Sequence, residues 1–291
     1  MLAALIKTMR PKQWPKNVVL FAALVFDRQL GLNNLPPMFR TLGGFLIFCL
    51  LSGAVYIIND IADVEADRQH PDKRRRPIAS GALSIRVARI AVMVMLAVVF
   101  PVAYWLSPGF ALVGLVYFLL NLAYSKWIKH ITLLDVFSIA LGFVLRVGAG
   151  VTLIEVTRFS PWLYVVTTLG ALYLGFGKRR AELNLLASGA NAHRKVLDGY
   201  TIPLLDQYIT IVAGTTVIAY SLYTFSAPNL PDNHAMMVTI PFVLYGVFRY
   251  LQLVQDENKT GAPEEILLTD RPLQWTIILW GLSILSIFYI F

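Results

Sequence analysis

NDIADVEADRQHPDKRRRPIASG, residues 59–81, follows directly on the apolar run Leu42–Ile58 and leads into the next apolar run. Continued as helix, Asp60, Asp63 and Asp67 fall at i, i+3 and i+7, so their carboxylates share one face, with Asn59 at its border. Carboxylates that close repel one another unless a cation sits between them, and an all-oxygen donor set suits Mg²⁺. Asn59, Asp60, Asp63 and Asp67 are therefore the candidate metal ligands, and the three aspartates the candidate catalytic residues. Downstream, Lys73 and Arg76 suit the phosphates of an anionic ligand, whereas Arg74 and Arg75 read as topological charge. The bland alternative is a helix cap followed by a solvated charged loop, which has no need for aspartates in register at a membrane edge.

Composition sets the environment. Of 291 residues, 57% are apolar and only 14% charged, against roughly a quarter charged in soluble domains. The chain reads as an integral membrane protein without a cleavable signal pattern, since the first apolar run has Lys7, Arg10, Lys12 and Lys16 before it and no small-residue cleavage site. Its one cysteine, Cys49, excludes an intrachain disulfide and a thiolate metal site. The net charge of +8 sits at membrane edges, which points to anionic lipid and not to nucleic acid.

Nine segments are candidate spans: 17–34, 42–62, 84–106, 108–127, 133–154, 161–183, 203–226, 235–255 and 272–291. Lysine and arginine cluster in the N-terminal tail and after the second, fourth, sixth and eighth spans, while Arg28, Arg40 and Arg158 lie on the other side. The N-terminus is then cytoplasmic and the C-terminus outside, in a plasma (inner) membrane. The expected architecture is one all-α transmembrane domain over 1–291, with cytoplasmic cap loops at about 63–83 and 178–200.

Other polar residues lie at the same cytoplasmic level. Lys16 and Asn17 open the first span, where a helix N-terminus and an ammonium can hold phosphate together. Arg10, Lys12 and Trp14, just before them, suit lipid headgroups and the membrane interface. Tyr124 and Lys126 close the fourth span and Asp135 opens the fifth. Arg146 lies mid-membrane on the Asp135 face, where an isolated charge costs at least roughly 2.5–3.5 kcal/mol, so a polar partner or a substrate is required. Lys178 and Arg179 continue the sixth span and can reach an anion, Glu182 can pair with Lys178, and Arg180 reads as a positive-inside stop. His70, His130, His193 and His234 have no metal spacing, and neither a Gly-x-Ser-x-Gly elbow nor a Walker-type loop is present.

Asn59-Asp-x-x-Asp-x-x-x-Asp67 at the end of the second of nine spans resembles the UbiA-type membrane prenyltransferase superfamily. That resemblance implies nine helices around a central cavity open to the cytoplasmic side, with the first aspartate-rich motif binding Mg²⁺–diphosphate. The family's second aspartate motif, at the end of the sixth helix, is here Lys178-Arg-Arg-Ala-Glu182. Arg10-Pro-x-Gln-Trp-x-Lys-Asn17, Asp63-Val-Glu-Ala-Asp-Arg68, His70-Pro-x-Lys-x-x-Arg-Pro-Ile-Ala-Ser-Gly81, and Leu134-Asp-Val leading to Gly142-Phe-Val-Leu-Arg146 resemble the decaprenyl-phosphate phosphoribosyltransferase branch.

The branch implies transfer of 5-phosphoribosyl from phosphoribosyl pyrophosphate to a polyprenyl (decaprenyl) phosphate, with Mg²⁺ as cofactor, in cell-envelope arabinan synthesis. On that reading Lys16, Asn17, Asn59, Lys73 and Arg76 face the donor. Tyr124, Lys126, Asp135, Arg146, Lys178, Arg179 and Glu182 face the acceptor phosphate. Lipid, and a second copy of the chain, are the further expected partners. Prenyl transfer to an aromatic acceptor, a non-catalytic polyprenyl-phosphate carrier and a structural membrane partner are the competing readings. The missing second motif argues against the first of these and the in-register aspartates against the last.

Overall fold

The computed structural model describes residues 1–30, 35–156, 160–187, 195–228, 230–255, 266 and 269–290. Residues 31–34 at the end of the first candidate span, Arg158, His193, Arg194, Lys259 and the middle of the second cap loop lie outside that description. Among the described residues the regular structure is helical, in two compact units.

The first unit comprises Met1–Lys126 with Leu145–Val156. It holds α1 (Leu2–Thr8), a 3-10 helix (Pro11–Phe21), α2 (Ala22–Phe26), α3 (Leu35–Ala62), α4 (Val64–Gln69), α5 (Ile85–Leu106) and α6 (Pro108–Lys126). Packing of α3 against α5, α6 and the 3-10 helix buries Leu20, Phe48, Leu51, Val99, Ala103 and Phe110 in one cluster. Ser107 alone links α5 to α6, and its hydroxyl accepts from the Phe110 amide at 3.4 Å, satisfying a helix-start donor. A second cluster, with Met9, Ile57, Val64, Ile78 and Leu83, fastens the loop after α4 to the end of α3.

The unit boundary falls within α7 (Leu134–Val151). The second unit, Trp127–Val144 with Thr157–Phe291, holds α8 (Pro161–Ala187), α9 (Ile202–Ser226), α10 (Ile240–Gln255) and α11 (Arg271–Ile290). Its core gathers Val136, Tyr173, Phe176, Leu205, Ile209, Tyr250 and Leu273. Thr201 caps α9 by accepting from the Leu204 amide at 3.3 Å.

Seven described segments are long and apolar enough to cross a bilayer: 35–62, 85–106, 108–126, 134–151, 202–226, 235–255 and 271–290. They match seven of the nine expected spans. The first expected span is instead the 3-10 helix Pro11–Phe21, which has Pro15 inside it, followed by the five-residue α2. Residues 17–26 of that expected span are thus 3-10 helix and a short α-helix, while 31–34 lie outside the described residues. The sixth is a single 27-residue helix, α8, whose last turns carry Lys178, Arg179, Arg180 and Glu182 and dilute its apolar character.

Gly150, in the last turn of α7, lies against the backbone of the 3-10 helix. A Cβ built there would lie 2.0 Å from the Leu20 carbonyl oxygen, whereas one at Gly148 meets nothing within 4 Å. Gly150→Ala therefore forces backbone apart and is expected to cost about 1–3 kcal/mol, while Gly148→Ala does not. Thermal unfolding in detergent checks this, and equal melting temperatures for the two variants would contradict it.

Candidate active site

The helical ladder crosses the joint between α3 and α4. The Asp63 amide donates to the Asn59 carbonyl at 2.9 Å and the Asp67 amide to the Asp63 carbonyl at 2.8 Å, so the expected i, i+3, i+7 spacing survives. Asp60 and Asp67 are buried, 2% and 3% exposed, and Asp63 is half-buried. Arg76 bridges the two buried carboxylates, donating from Nη1 to Asp60 Oδ1 at 3.1 Å and to Asp67 Oδ2 at 2.7 Å. Arg10 donates from Nη2 to the same Asp60 oxygen at 2.6 Å, and its guanidinium lies 4.8 Å from the centre of the Tyr56 ring. Asn59 Oδ1 accepts from the Ser125 hydroxyl at 2.5 Å.

Two sequence expectations change here. The acidic face is not uncompensated: guanidiniums neutralise it, because buried carboxylates without a partner would be far costlier. Arg10, read as a headgroup cation, instead pairs with Asp60 across fifty positions of sequence. The loop that carries Arg76 is fixed by buried Ile78 and Leu83 and by the bond from the Leu83 amide to the Pro77 carbonyl at 2.9 Å. His70 Nδ1 accepts from the amides of Asp72 and Lys73 at 3.2 and 3.4 Å, an organising role and not a catalytic one. Arg74 and Arg75 are exposed, unlike half-buried Lys73 and Arg76.

Carboxylate and amide oxygens are the donors a hard divalent cation prefers, so the chemistry of Asn59, Asp60, Asp63 and Asp67 fits Mg²⁺. Among the described residues, however, no three His, Cys, Asp or Glu side chains are gathered around one point. Arg76 holds one oxygen of each of two of these aspartates, Asp60 Oδ1 and Asp67 Oδ2.

Arg146 is buried within the first unit, 7% exposed. Its Nε donates to Asn17 Oδ1 and its Nη2 to the Tyr117 hydroxyl, both at 2.8 Å. The guanidinium also lies 4.8 Å from the Tyr117 ring centre and 5.9 Å from that of Phe48. Asn17 donates in turn to Cys49 Sγ at 3.3 Å and Ser52 Oγ at 3.4 Å. Asn17, Tyr117 and two ring faces are thus among the partners of this cation, at the depth where the sequence demanded one. Lys16 lies half-buried on the same 3-10 helix; Tyr124 is half-buried and Lys126 exposed at the end of α6.

The second unit carries its own charged cluster. Asp135 is wholly buried and accepts from Arg179 Nε at 2.6 Å and from the Tyr200 hydroxyl at 2.7 Å. Arg179, 1% exposed, also donates to Glu182 Oε2. Tyr200 closes the cluster by accepting from the Leu133 amide at 2.8 Å, next to a Leu133 backbone in the left-handed region at φ 69°. Burial, reinforced by the Asp135 carboxylate, pushes the Tyr200 phenol well above its ordinary pKa, so it remains a donor. Asp135 and Arg146 lie eleven residues apart on α7, Asp135 held by Arg179 and Tyr200 and Arg146 by Asn17 and Tyr117. Arg180 is no solvated stop: it is 7% exposed, donates to Asp206 at 2.6 Å and to the Val254 carbonyl at 2.8 Å, and ties α8 to α9 and α10. Lys178 is half-buried.

A profile of the UbiA prenyltransferase family matches residues 19–266. The chain belongs to that family. It is 33% identical over 282 residues to the decaprenyl-phosphate phosphoribosyltransferase of Mycobacterium tuberculosis, covering 96% of this chain and 92% of that one. The same-named protein of Corynebacterium glutamicum is also 33% identical, over 98% of this chain and 87% of its own length. A UbiA homolog from Archaeoglobus fulgidus, solved with GPP and Mg²⁺, superposes with a TM-score of 0.72 at 19% identity, covering 97% of this chain and 99% of its own. The expected all-α UbiA architecture is therefore the observed one, in a multi-pass membrane enzyme of the UbiA family. Arg10, Ser125, Tyr117 and Tyr200 are the polar partners that the sequence reading did not assign to a site.

The Asp135 cluster predicts a graded loss of stability. Tyr200→Phe removes the partner of two buried groups and is expected to cost about 1–3 kcal/mol. Arg179→Ala leaves a buried carboxylate without its cation and is expected to cost more, about 3–5 kcal/mol. Denaturation in detergent measures both, and a reversed order would refute the assignment of Arg179 as the pin of the cluster.

Proposed function

We propose that this chain transfers the 5-phosphoribosyl group of phosphoribosyl pyrophosphate to a polyprenyl phosphate and releases diphosphate. Near-full-length relatives of that name support the reading. The observation that carries it is the asymmetry of the two charged motifs. The end of α3 offers buried carboxylates with two guanidiniums, a set suited to a metal-bound diphosphate. The end of α8 offers Lys178-Arg179-Arg180 with Glu182 as the one acid, which suits a phosphate acceptor better than a second prenyl diphosphate site.

Asp60, Asp63, Asp67 and Asn59 would hold Mg²⁺, which when bound neutralises charge on the departing diphosphate. Lys73 and Arg76 bind diphosphate oxygens, Arg76 bidentately if it turns from its carboxylates. Lys16 lies on the 3-10 helix whose Asn17 is fixed by Arg146, so it contributes to the donor side from an anchored segment. Lys178 contacts the lipid phosphate. Arg179, already carrying two carboxylates, positions α8 and is not itself a phosphate ligand. A phosphate oxygen of the lipid attacks ribose C1, the bond from C1 to the diphosphate oxygen breaks, and its electron pair leaves with diphosphate. A phosphate monoester is mostly dianionic at neutral pH, so no base is needed. The lysine and arginine distribution supports a plasma-membrane enzyme with its N-terminus and motif-bearing loops in the cytoplasm.

Incubating the purified protein with labelled phosphoribosyl pyrophosphate, Mg²⁺ and decaprenyl phosphate is expected to label the lipid. Labelling that occurs only with a prenyl diphosphate and an aromatic acceptor would overturn the reading. Asp63→Asn is expected to abolish transfer in a folded protein. Arg76→Ala is expected to raise donor KM about 10- to 100-fold, the worth of a charged hydrogen bond, with little change for exposed Arg74→Ala. Equal effects would indicate a diffuse electrostatic funnel instead.

A further inference from the structure

Arg10 and Arg76 converge on one carboxylate oxygen. Asp60 Oδ1 accepts from Arg10 at 2.6 Å and from Arg76 at 3.1 Å, and Arg76 also reaches Asp67 at 2.7 Å. The Asp60 and Asp67 side chains are 3% and 4% exposed, whereas Arg10 and Arg76 keep 33% and 28%. The acids are thus fixed in the interior and the cations reach in from the edge. Arg10 lies between α1 and the 3-10 helix Pro11–Phe21, and Arg76 follows the short turn Lys73–Arg75. Both can re-aim without breaking a long helix.

Within this set two negative charges meet two positive ones. A divalent cation ligating through Asp60 and Asp67 competes for oxygens the guanidiniums hold, and adds positive charge where screening is poor. Diphosphate alone meets the reverse problem, since it would draw the guanidiniums from buried carboxylates and leave those without a partner. Metal and diphosphate together solve both. The metal takes the carboxylate oxygens, and the guanidiniums turn to diphosphate oxygens, which they match bidentately.

We propose that Arg10 and Arg76 make metal uptake conditional on the donor's diphosphate, by passing from Asp60 and Asp67 to the diphosphate as the metal takes their place. This rests on the reading of the acidic motif as the donor site, and adds an order of binding to it. The metal is then held only when the leaving group it must neutralise is present.

The test is Mn²⁺ binding to the full-length protein in detergent, with and without inorganic pyrophosphate, counting protein-bound Mn²⁺ after rapid removal of the free complex. For the unmodified chain, pyrophosphate is expected to raise Mn²⁺ affinity at least about tenfold, within the usual range of coupling between sites. Arg76→Gln keeps a donor but loses the charge. It is expected to bind Mn²⁺ alone severalfold more tightly and to lose most of the coupling, while Arg76→Lys keeps the coupling. Arg10→Gln gives the same loss of coupling and serves if the Arg76 variant does not fold. Equal Mn²⁺ affinity with and without pyrophosphate, or coupling unchanged in both glutamine variants, overturns the inference and leaves the donor site standing. No bound Mn²⁺ in either condition overturns both.

Discussion

Two carboxylates buried at the end of a membrane helix are the constraint on which the first unit depends. Asp60 and Asp67 cannot sit in a poorly hydrated interior alone, since desolvating each costs several kcal/mol. Their cations come from segments far apart in sequence, Arg10 before the first apolar run and Arg76 after α4. Satisfying the acids therefore brings the N-terminal segment and the loop after α4 to the end of α3. The buried cluster of Met9, Ile57, Val64, Ile78 and Leu83 is the apolar side of the same arrangement. Hydrophobic burial supplies the gross stabilisation there, and the ion pairs fix which surfaces meet.

The second unit solves a related problem with the signs exchanged. Arg179 is the buried group that needs partners, and Asp135 and Glu182 supply them, with Tyr200 holding Asp135 from its other oxygen. The Tyr200 hydroxyl also holds the Leu133 amide, at a backbone whose left-handed geometry costs free energy for a residue with a Cβ. One phenol thereby holds both the start of α7 and the Asp135 carboxylate. Arg180 points to Asp206 and the Val254 carbonyl, so consecutive arginines are committed to different helices. Lys178, just before them, is half-buried, unlike the buried Arg179 and Arg180.

Much of this was legible in the sequence where spacing along one helix was enough. Asp60, Asp63 and Asp67 follow from period alone, and the ladder through Asp63 keeps that period although α3 formally ends at Ala62. Arg76 was separable from Arg74 and Arg75 because it precedes Pro77 at the return to the membrane. Arg10 was not separable from Lys12, because both are interfacial cations beside a tryptophan, and nothing local marks which one meets an acid. Arg180 failed for the same reason: a cation after an apolar run reads as a topological stop until a partner on another helix is known. Across 17–34 a run of apolar residues does not announce that the described part is a 3-10 helix over Pro11–Phe21 followed by a five-residue α-helix. Tertiary partners of charged residues are pairwise and non-local, and a single chain carries no periodic signal for them.

Arg146 shows where depth can be read and role cannot. Its position in the apolar run required a polar partner, and the partners are Asn17 and Tyr117, with the Tyr117 and Phe48 rings beside the charge. Amide, phenol and ring faces each stabilise a cation in a poorly hydrated interior. Asn17, held by that charge and by Ser52, in turn fixes the 3-10 helix that begins one residue after Arg10. The cation in the membrane interior and the cation on Asp60 are therefore linked through one short rigid segment. A substitution at Arg146 can reach the acidic motif by displacing Asn17 and, through the 3-10 helix that contains it, Arg10. Its effect on activity would then not by itself identify Arg146 as a substrate ligand.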